Sequence, residues 1–241
     1  MIAIVDYKAG NLTSVARALT KLNRPSIITG RPDEIAAAER VIFPGVGAAG
    51  TALLSLAESG LDQAVREVVE SGRPLLGICL GTQIIMEASS ENETACLGIV
   101  AGTVRPFPDG MIDAAGNRLK IPHMGWNNLT SRRSHPLLEG IEAEDQFYFV
   151  HSYYPDPAEE AQVVATTAYG LSFTSVVGKD NLVATQFHPE KSGAAGLRIL
   201  DNFCRWQPCR LRKKSNIFVA LHPSSCHVLL STLHSSGFCA P

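Results

Sequence analysis

Up to about residue 98, short continuous apolar runs alternate with segments of helical spacing. Residues 2–6 read as a buried strand, and behind Asn11, a good helix N-cap, Leu12, Val15, Leu19 and Leu22 recur at helical intervals. Pro25 closes that helix. Residues 26–29 then read as a strand, 32–38 as a short helix, and 40–43 as a strand running into the loop Pro44, Gly45, Val46, Gly47. Two helices are expected over 51–58 and 61–71, the second capped by Gly72. A further apolar run at 74–78 leads into Cys79 and a helix-like segment. This alternation predicts an α/β fold: a mainly parallel sheet, right-handed crossovers and helices on both faces. In such sheets the functional crevice lies beyond the carboxyl ends of the strands, where the 44–47 loop and Cys79 both fall.

After about residue 98 the pattern changes. Turn residues split short apolar runs, and no long helical period returns before Gly193. The aromatic stretch 146–154 reads as one strand, and 173–177 with 182–187 as a hairpin. These add antiparallel strands and make the sheet mixed. Leu197, Leu200 and Phe203 mark a last helix ending near Trp206. With no internal repeat or linker, 1–206 is expected to form one domain. Residues 207–241 cluster Arg210, Arg212, Lys213 and Lys214 and then mix Ser, His and Cys without sustained period. They read as an atypical, disordered extension, because Cys209, His222, Cys226, His227 and Cys239 match no usual zinc spacing.

Composition narrows the class. A hydrophobic share of 45% over 241 residues is enough for a sizeable core, and a formal charge of −2 argues against nucleic acid or an anionic membrane as general partner. The start of the chain has no basic segment, and Asp6 interrupts its apolar run, so neither a signal peptide nor a membrane span is expected. Six scattered cysteines without paired spacing read as reduced thiols of a cytoplasmic protein.

Candidate chemistry starts at Gly77, Cys79 and Gly81, a G-x-C-x-G pattern between a strand-like run and a helix-like segment. Such an elbow holds its central residue in a strained backbone conformation, and glycine neighbours let strand and helix crowd together. A thiol at a helix N-terminus also sees the positive end of the helix dipole, which favours its thiolate. Gln83 lies one helical turn on, on the same helical face, and can point its amide at whatever sits over the sulfur. A buried core cysteine accounts for this stretch alone equally well. The balance moves with Phe187-His188-Pro189-Glu190. Proline keeps His188 extended, so that Glu190, two residues on, can reach one ring nitrogen and leave the other for a nucleophile. That is the base and orienter of a triad whose third member Cys79 would supply.

The segments GICLGTQ (77–83) and QFHPEKS (186–192) resemble the class I, triad-type glutamine amidotransferases, and the similarity spans 1–206. The PGVG loop, IVDYKAGNL (4–12), PHMGWN (122–127) and YFVHSYY (148–154) are most similar to members that pass ammonia to a (β/α)₈-barrel cyclase subunit. The resemblance implies a flavodoxin-like, mixed but mainly parallel sheet and a heterodimer with that cyclase. It implies no cofactor and no metal. Cys79 would attack the carboxamide of L-glutamine, His188 would move the protons and Glu190 would orient the imidazole. The oxyanion would be held by the Leu80 backbone N–H and by the loop at Val46 and Gly47. Gly47, Gln83, His151, Ser152 and Tyr153 would bind the substrate, and Asn11 and Lys191 would lie at the cyclase interface. Two other classes stay open at this stage: another cysteine hydrolase on the same sheet, and a catalytically silent subunit kept for assembly.

Overall fold

The computed structural model describes residues 1–8, 12–113 and 115–208. Asn11, and with it the expected N-cap and interface position, lies outside the described residues, as does the tail from residue 209 on. In chain order the first half runs β1 (Ile2–Val5), α1 (Leu12–Lys21), β2 (Ser26–Thr29), α2 (Pro32–Ala37), β3 (Arg40–Gly45), α3 (Ala49–Ser59), α4 (Leu61–Glu70), β4 (Leu75–Cys79) and α5 (Leu80–Ile84). The second half adds β5 (Ala88–Ser89), β6 (Thr94–Ala95), β7 (Gly102–Pro106), β8 (His123–Asn128), β9 (Thr130–Ser131), β10 (Gln146–His151), β11 (Tyr153–Pro157), β12 (Val163–Tyr169), β13 (Leu171–Lys179), β14 (Leu182–Thr185) and α6 (Gly193–Arg205).

The central sheet has the order β2-β1-β3-β4-β14-β13-β12-β9. Its β2 to β14 half is parallel throughout, and β13, β12 and β9 continue it antiparallel. Strand alternation explains the layers. Ala3, Val5, Val41, Phe43 and Leu75 point into one core with α2, α3 and α4, while Ile2, Ile4, Ile42, Leu76 and Ile78 point into the other with α1 and α6. Both faces are apolar, so both are covered by helices. In α1 the buried residues are Val15, Ala18 and Leu19, one face at helical spacing. Ser71 caps α4, and Gly72 follows at φ +78, the left-handed position that glycine takes without strain. Among the described residues, no helix is long and apolar enough to cross a membrane.

Three expectations need correction. The aromatic stretch is two strands, not one: β10 pairs with β8 in a separate two-stranded ribbon, and after Ser152 the chain turns so that β11 pairs with β7 in a second small sheet. Phe147, Phe149 and His151 are buried at alternate positions along β10, so apolar alternation gave no sign of the change of partner. Pro44 and Gly45 belong to β3, which extends the parallel ladder until Gly45 stands opposite Cys79. The helix after Cys79 has only five residues, too short for its dipole to act strongly on the sulfur.

Gly81 shows why the junction tolerates one residue type. A Cβ there would overlap the Phe43 carbonyl oxygen, a backbone atom of β3 that cannot move aside. Gly81→Ala is expected to destabilise the chain by about 3 kcal/mol, the upper range for overpacking a rigid core site. Urea unfolding measures this, and an unchanged midpoint would contradict the packing account.

Candidate active site

Three loops meet at the carboxyl ends of β3, β4 and β14, and each contributes in a way its local sequence dictates. At the end of β4, Cys79 adopts φ 52 and ψ −106, a conformation disfavoured for any residue with a side chain. It is kept there because Gly77 lies against Ala184 of β14 and Gly81 against β3. The Thr82 hydroxyl adds a clamp, donating to the Thr185 carbonyl at 2.7 Å. Cys79 is buried, 7% exposed, at the base of the crevice.

His188 follows β14 in extended conformation, φ −99 and ψ 94, as proline at the next position requires. Its backbone N–H donates to the Tyr148 carbonyl at 2.9 Å, and its carbonyl accepts from the Ser192 hydroxyl at 2.6 Å. Glu190 reaches the ring by a route other than strand alternation. Pro189–Lys191 is a 3₁₀ turn, and that turn brings Glu190 Oε1 to 2.8 Å from His188 Nδ1. Both side chains are nearly inaccessible to solvent. A carboxylate fixes the proton on Nδ1, leaving Nε2 as the chemically available nitrogen. Nε2 is buried with no hydrogen bond of its own, as is Glu190 Oε2.

Electrostatics set the charge state. Burial lowers the proton affinity of His188, but the nearby sulfur of Cys79 and the hydrogen-bonded carboxylate of Glu190 outweigh it and push the pKa up to about 9. The imidazolium is therefore the resting form at neutral pH, beside a sulfur it can stabilise as thiolate. Burial pushes the thiols of Cys96 and Cys204, the other two cysteines among the described residues, up to about 11.

The loop after β3 carries Val46, half-exposed, and Gly47 at φ +95 with open space where a Cβ would stand. Because Gly45 is in register with Cys79, this loop leaves the sheet beside the elbow and its Leu80 N–H. Glu91 Oε2 accepts the Ala49 N–H at 2.7 Å and so fixes the loop where α3 begins. Ser152 and Tyr153, at the β10–β11 turn, are half-buried. Gln83 and His151 sit nearby, but with their side chains already engaged. The Gln83 amide nitrogen donates to the Tyr153 carbonyl at 3.0 Å and to Gln186 Oε1 at 3.1 Å. His151 has both ring nitrogens in contacts inside the protein, with the Tyr153 carbonyl at 2.8 Å and His123 at 3.1 Å. Lys191 places its ammonium 5.8 Å from the Tyr148 ring centroid, beside the half-exposed Trp126. Sequence reading missed Gln186, whose amide nitrogen lies 3.8 Å from Cys79 Sγ. The one available signal was a polar residue inside an otherwise apolar strand end.

A buried thiol on a strained elbow, with an imidazolium held by a carboxylate, is equipped for acyl transfer through a covalent thioester. The chain matches the family model described as glutamine amidotransferase class-I over residues 3–206. It therefore belongs to the class I glutamine amidotransferases. Among curated relatives, the imidazole glycerol phosphate synthase subunit HisH of Nitratidesulfovibrio vulgaris strain Hildenborough is 54% identical over 206 residues, covering 86% of this chain and 96% of that one. The protein of the same description from Methylococcus capsulatus strain Bath is 52% identical, with 86% and 97% covered. Within the class, the chain belongs to this HisH family. Solved structures share the fold at lower identity. A glutamine amidotransferase matches with TM-score 0.65 at 19% identity, covering 84% of this chain and 98% of that chain. A chain of PurLQS from Thermotoga maritima matches with TM-score 0.65 at 16%, covering 84% and 96%.

The sign of the His188 shift gives a pH prediction. A histidine raised in the folded state contributes stability that is fully present below its unfolded value of about 6.5 and is lost as pH rises through about 9. Glu190→Gln removes the charged partner. It is expected to cost about 2 kcal/mol at pH 6, with the difference from wild type shrinking as pH passes about 9. Denaturant unfolding across pH measures this, and a difference that grows with pH would contradict it.

Proposed function

We propose that this chain is the glutaminase subunit of an imidazole glycerol phosphate synthase, acting in histidine biosynthesis through a Cys79–His188–Glu190 triad in a unit spanning 1–206. The 2.8 Å contact between Glu190 and His188, at the mouth of the strand carrying Cys79, is the observation that carries this assignment. The Cys79 thiolate attacks the side-chain carboxamide carbon of L-glutamine, and the carbonyl oxygen takes the negative charge. The Leu80 N–H and the loop at Val46 and Gly47 stabilise that oxyanion. The His188 imidazolium gives its proton to the departing nitrogen, the C–N bond breaks, and ammonia and a glutamyl thioester result. Water then attacks the thioester while His188 takes its proton, and glutamate leaves as the thiolate is regenerated. Gly47, Gln83, Ser152 and Tyr153 hold the substrate. His151 contributes through the backbone it supports, since its ring is occupied inside the protein.

Ammonia released into water is protonated and ceases to be a nucleophile, so a shielded route to its acceptor is needed. That need fits docking on a cyclase subunit of (β/α)₈ fold. Met124, Trp126 and Val46 are exposed, at 63%, 52% and 42%, and Lys191 and Tyr148 sit beside Trp126. Exposed large apolar side chains, Val46 in the loop beside Cys79 and Met124 and Trp126 on β8, support a partner covering that side of the molecule. The compartment that suits such an enzyme, with reduced thiols, is the cytoplasm.

If the oxyanion loop reaches its donor position only when the partner is bound, the isolated chain should hydrolyse glutamine slowly. Adding the cyclase barrel and its nucleotide ligand should raise the rate by about 10²–10³, the worth of one oxyanion donor. Cys79→Ala should abolish turnover in both states. Steady-state glutamate release measures this. Full activity without the cyclase would contradict the gating, and turnover by Cys79→Ala would contradict the triad.

A further inference from the structure

We propose that Gln186 is a catalytic donor to the Cys79 sulfur, and that the Tyr153 carbonyl, acting through the Gln83 amide, fixes the sense of its amide. This rests on the reading of Cys79 as the nucleophile. Gln186 is fully buried at the start of the segment leading to His188, and its backbone N–H is tied to Ser175 of β13 at 2.9 Å. Its Nε2 is 3.8 Å from Cys79 Sγ, long for a neutral thiol and able to shorten as the sulfur becomes charged.

Which end of the amide faces the sulfur follows from its neighbours. The Tyr153 carbonyl can only accept, so the Gln83 atom 3.0 Å from it is the amide nitrogen. The same nitrogen lies 3.1 Å from Gln186, which must present its oxygen there. The Gln186 nitrogen is left for the sulfur. Turning either amide over would set two NH₂ groups, or two oxygens, against each other in a buried site. The chain continues behind Tyr153. His151 Nδ1, 2.8 Å from the same carbonyl, must be its donor. Burial lowers the pKa of His151 to about 3 and of His123 to about 4, so both rings are neutral. His151 Nε2 therefore accepts from His123 Nδ1 at 3.1 Å. His123 Nε2 faces the Asn127 amide nitrogen at 3.4 Å, and that nitrogen also donates to the Ala168 carbonyl. The Tyr153 carbonyl thus accepts from His151 on one side and from Gln83 on the other, and it is Gln83 that passes the sense on to Gln186.

Among the described residues, the titratable side chains close enough to sense the sulfur include His188, after β14, and Tyr7, just after β1, whose hydroxyl burial keeps protonated. His188 gives the sulfur a countercharge, whereas Gln186 gives it a neutral N–H that needs no proton transfer. The two effects separate by experiment. In the full chain, the rate of Cys79 alkylation by iodoacetamide is followed against pH, with the modified peptide identified by mass. Gln186→Met keeps the volume and removes the donor, and should move the alkylation midpoint up by about one pH unit. Glutamine turnover should fall in kcat more than it rises in KM. Gln83→Met leaves Gln186 in place but unclamped, and should move the midpoint the same way by less; it serves alone if Gln186→Met does not unfold cooperatively. An unchanged midpoint in folded Gln83→Met overturns the Gln83 clamp, and one in folded Gln186→Met overturns the donor. If Cys79→Ala still turns over glutamine, the nucleophile reading fails instead, independently of either result.

Discussion

The backbone at Cys79 is the constraint on which the site depends. A residue with a side chain at φ 52 and ψ −106 stays there only because its surroundings leave no alternative. β4 is hydrogen-bonded on both sides, to β3 and to β14, so the strand cannot slide or rotate. Gly81 is pressed on the Phe43 carbonyl and Thr82 is tied to Thr185, so the following turn cannot unwind. The strain in one residue is thereby carried by three strands, and its result is a buried sulfur held at the carboxyl end of the strand, where the loops after β3 and β14 also leave the sheet.

The parallel half of the sheet then does the gathering. Strands that run side by side in one direction deliver their exit loops to one edge. The order β3-β4-β14 brings together residues near 46, 79 and 188, which are far apart in the chain. The antiparallel additions serve differently. β10 supplies the Tyr148 carbonyl that anchors His188, and the β10–β11 turn supplies the Tyr153 carbonyl that orders the amides. Buried polar groups in this region are costly unless paired. The two orphans nearest the chemistry, His188 Nε2 and Glu190 Oε2, sit where a substrate-bound state gains most from unspent hydrogen-bonding capacity.

How much of this was legible from sequence depended on whether the cause was local. Alternation of apolar runs and helical spacing was enough for the parallel half, because helices on both faces make its strands continuous runs. The G-x-C-x-G elbow and His188-Pro189-Glu190 are likewise local, and their backbone reasons read directly from glycine and proline. Glu190 illustrates a right contact by another route, a 3₁₀ turn in place of strand alternation. The splitting of residues 146–157 between two sheets left no mark, since β10 keeps its alternation up to the break. Gln186, His123 and the occupied state of Gln83 and His151 were illegible for a related reason. Their meaning lies in partners up to 107 residues away, fixed only when the strands have paired.

The central claim is that glutamine passes through a covalent bond to one particular sulfur. Rapid mixing of the full chain, its cyclase partner and isotopically labelled glutamine, followed by acid quench and peptide mapping, tests it most directly. A glutamyl group attached to the peptide containing Cys79, forming before glutamate is released and decaying at the turnover rate, is the result predicted. Label found on Cys96, Cys204 or no cysteine, while glutamate is still produced, would contradict the account.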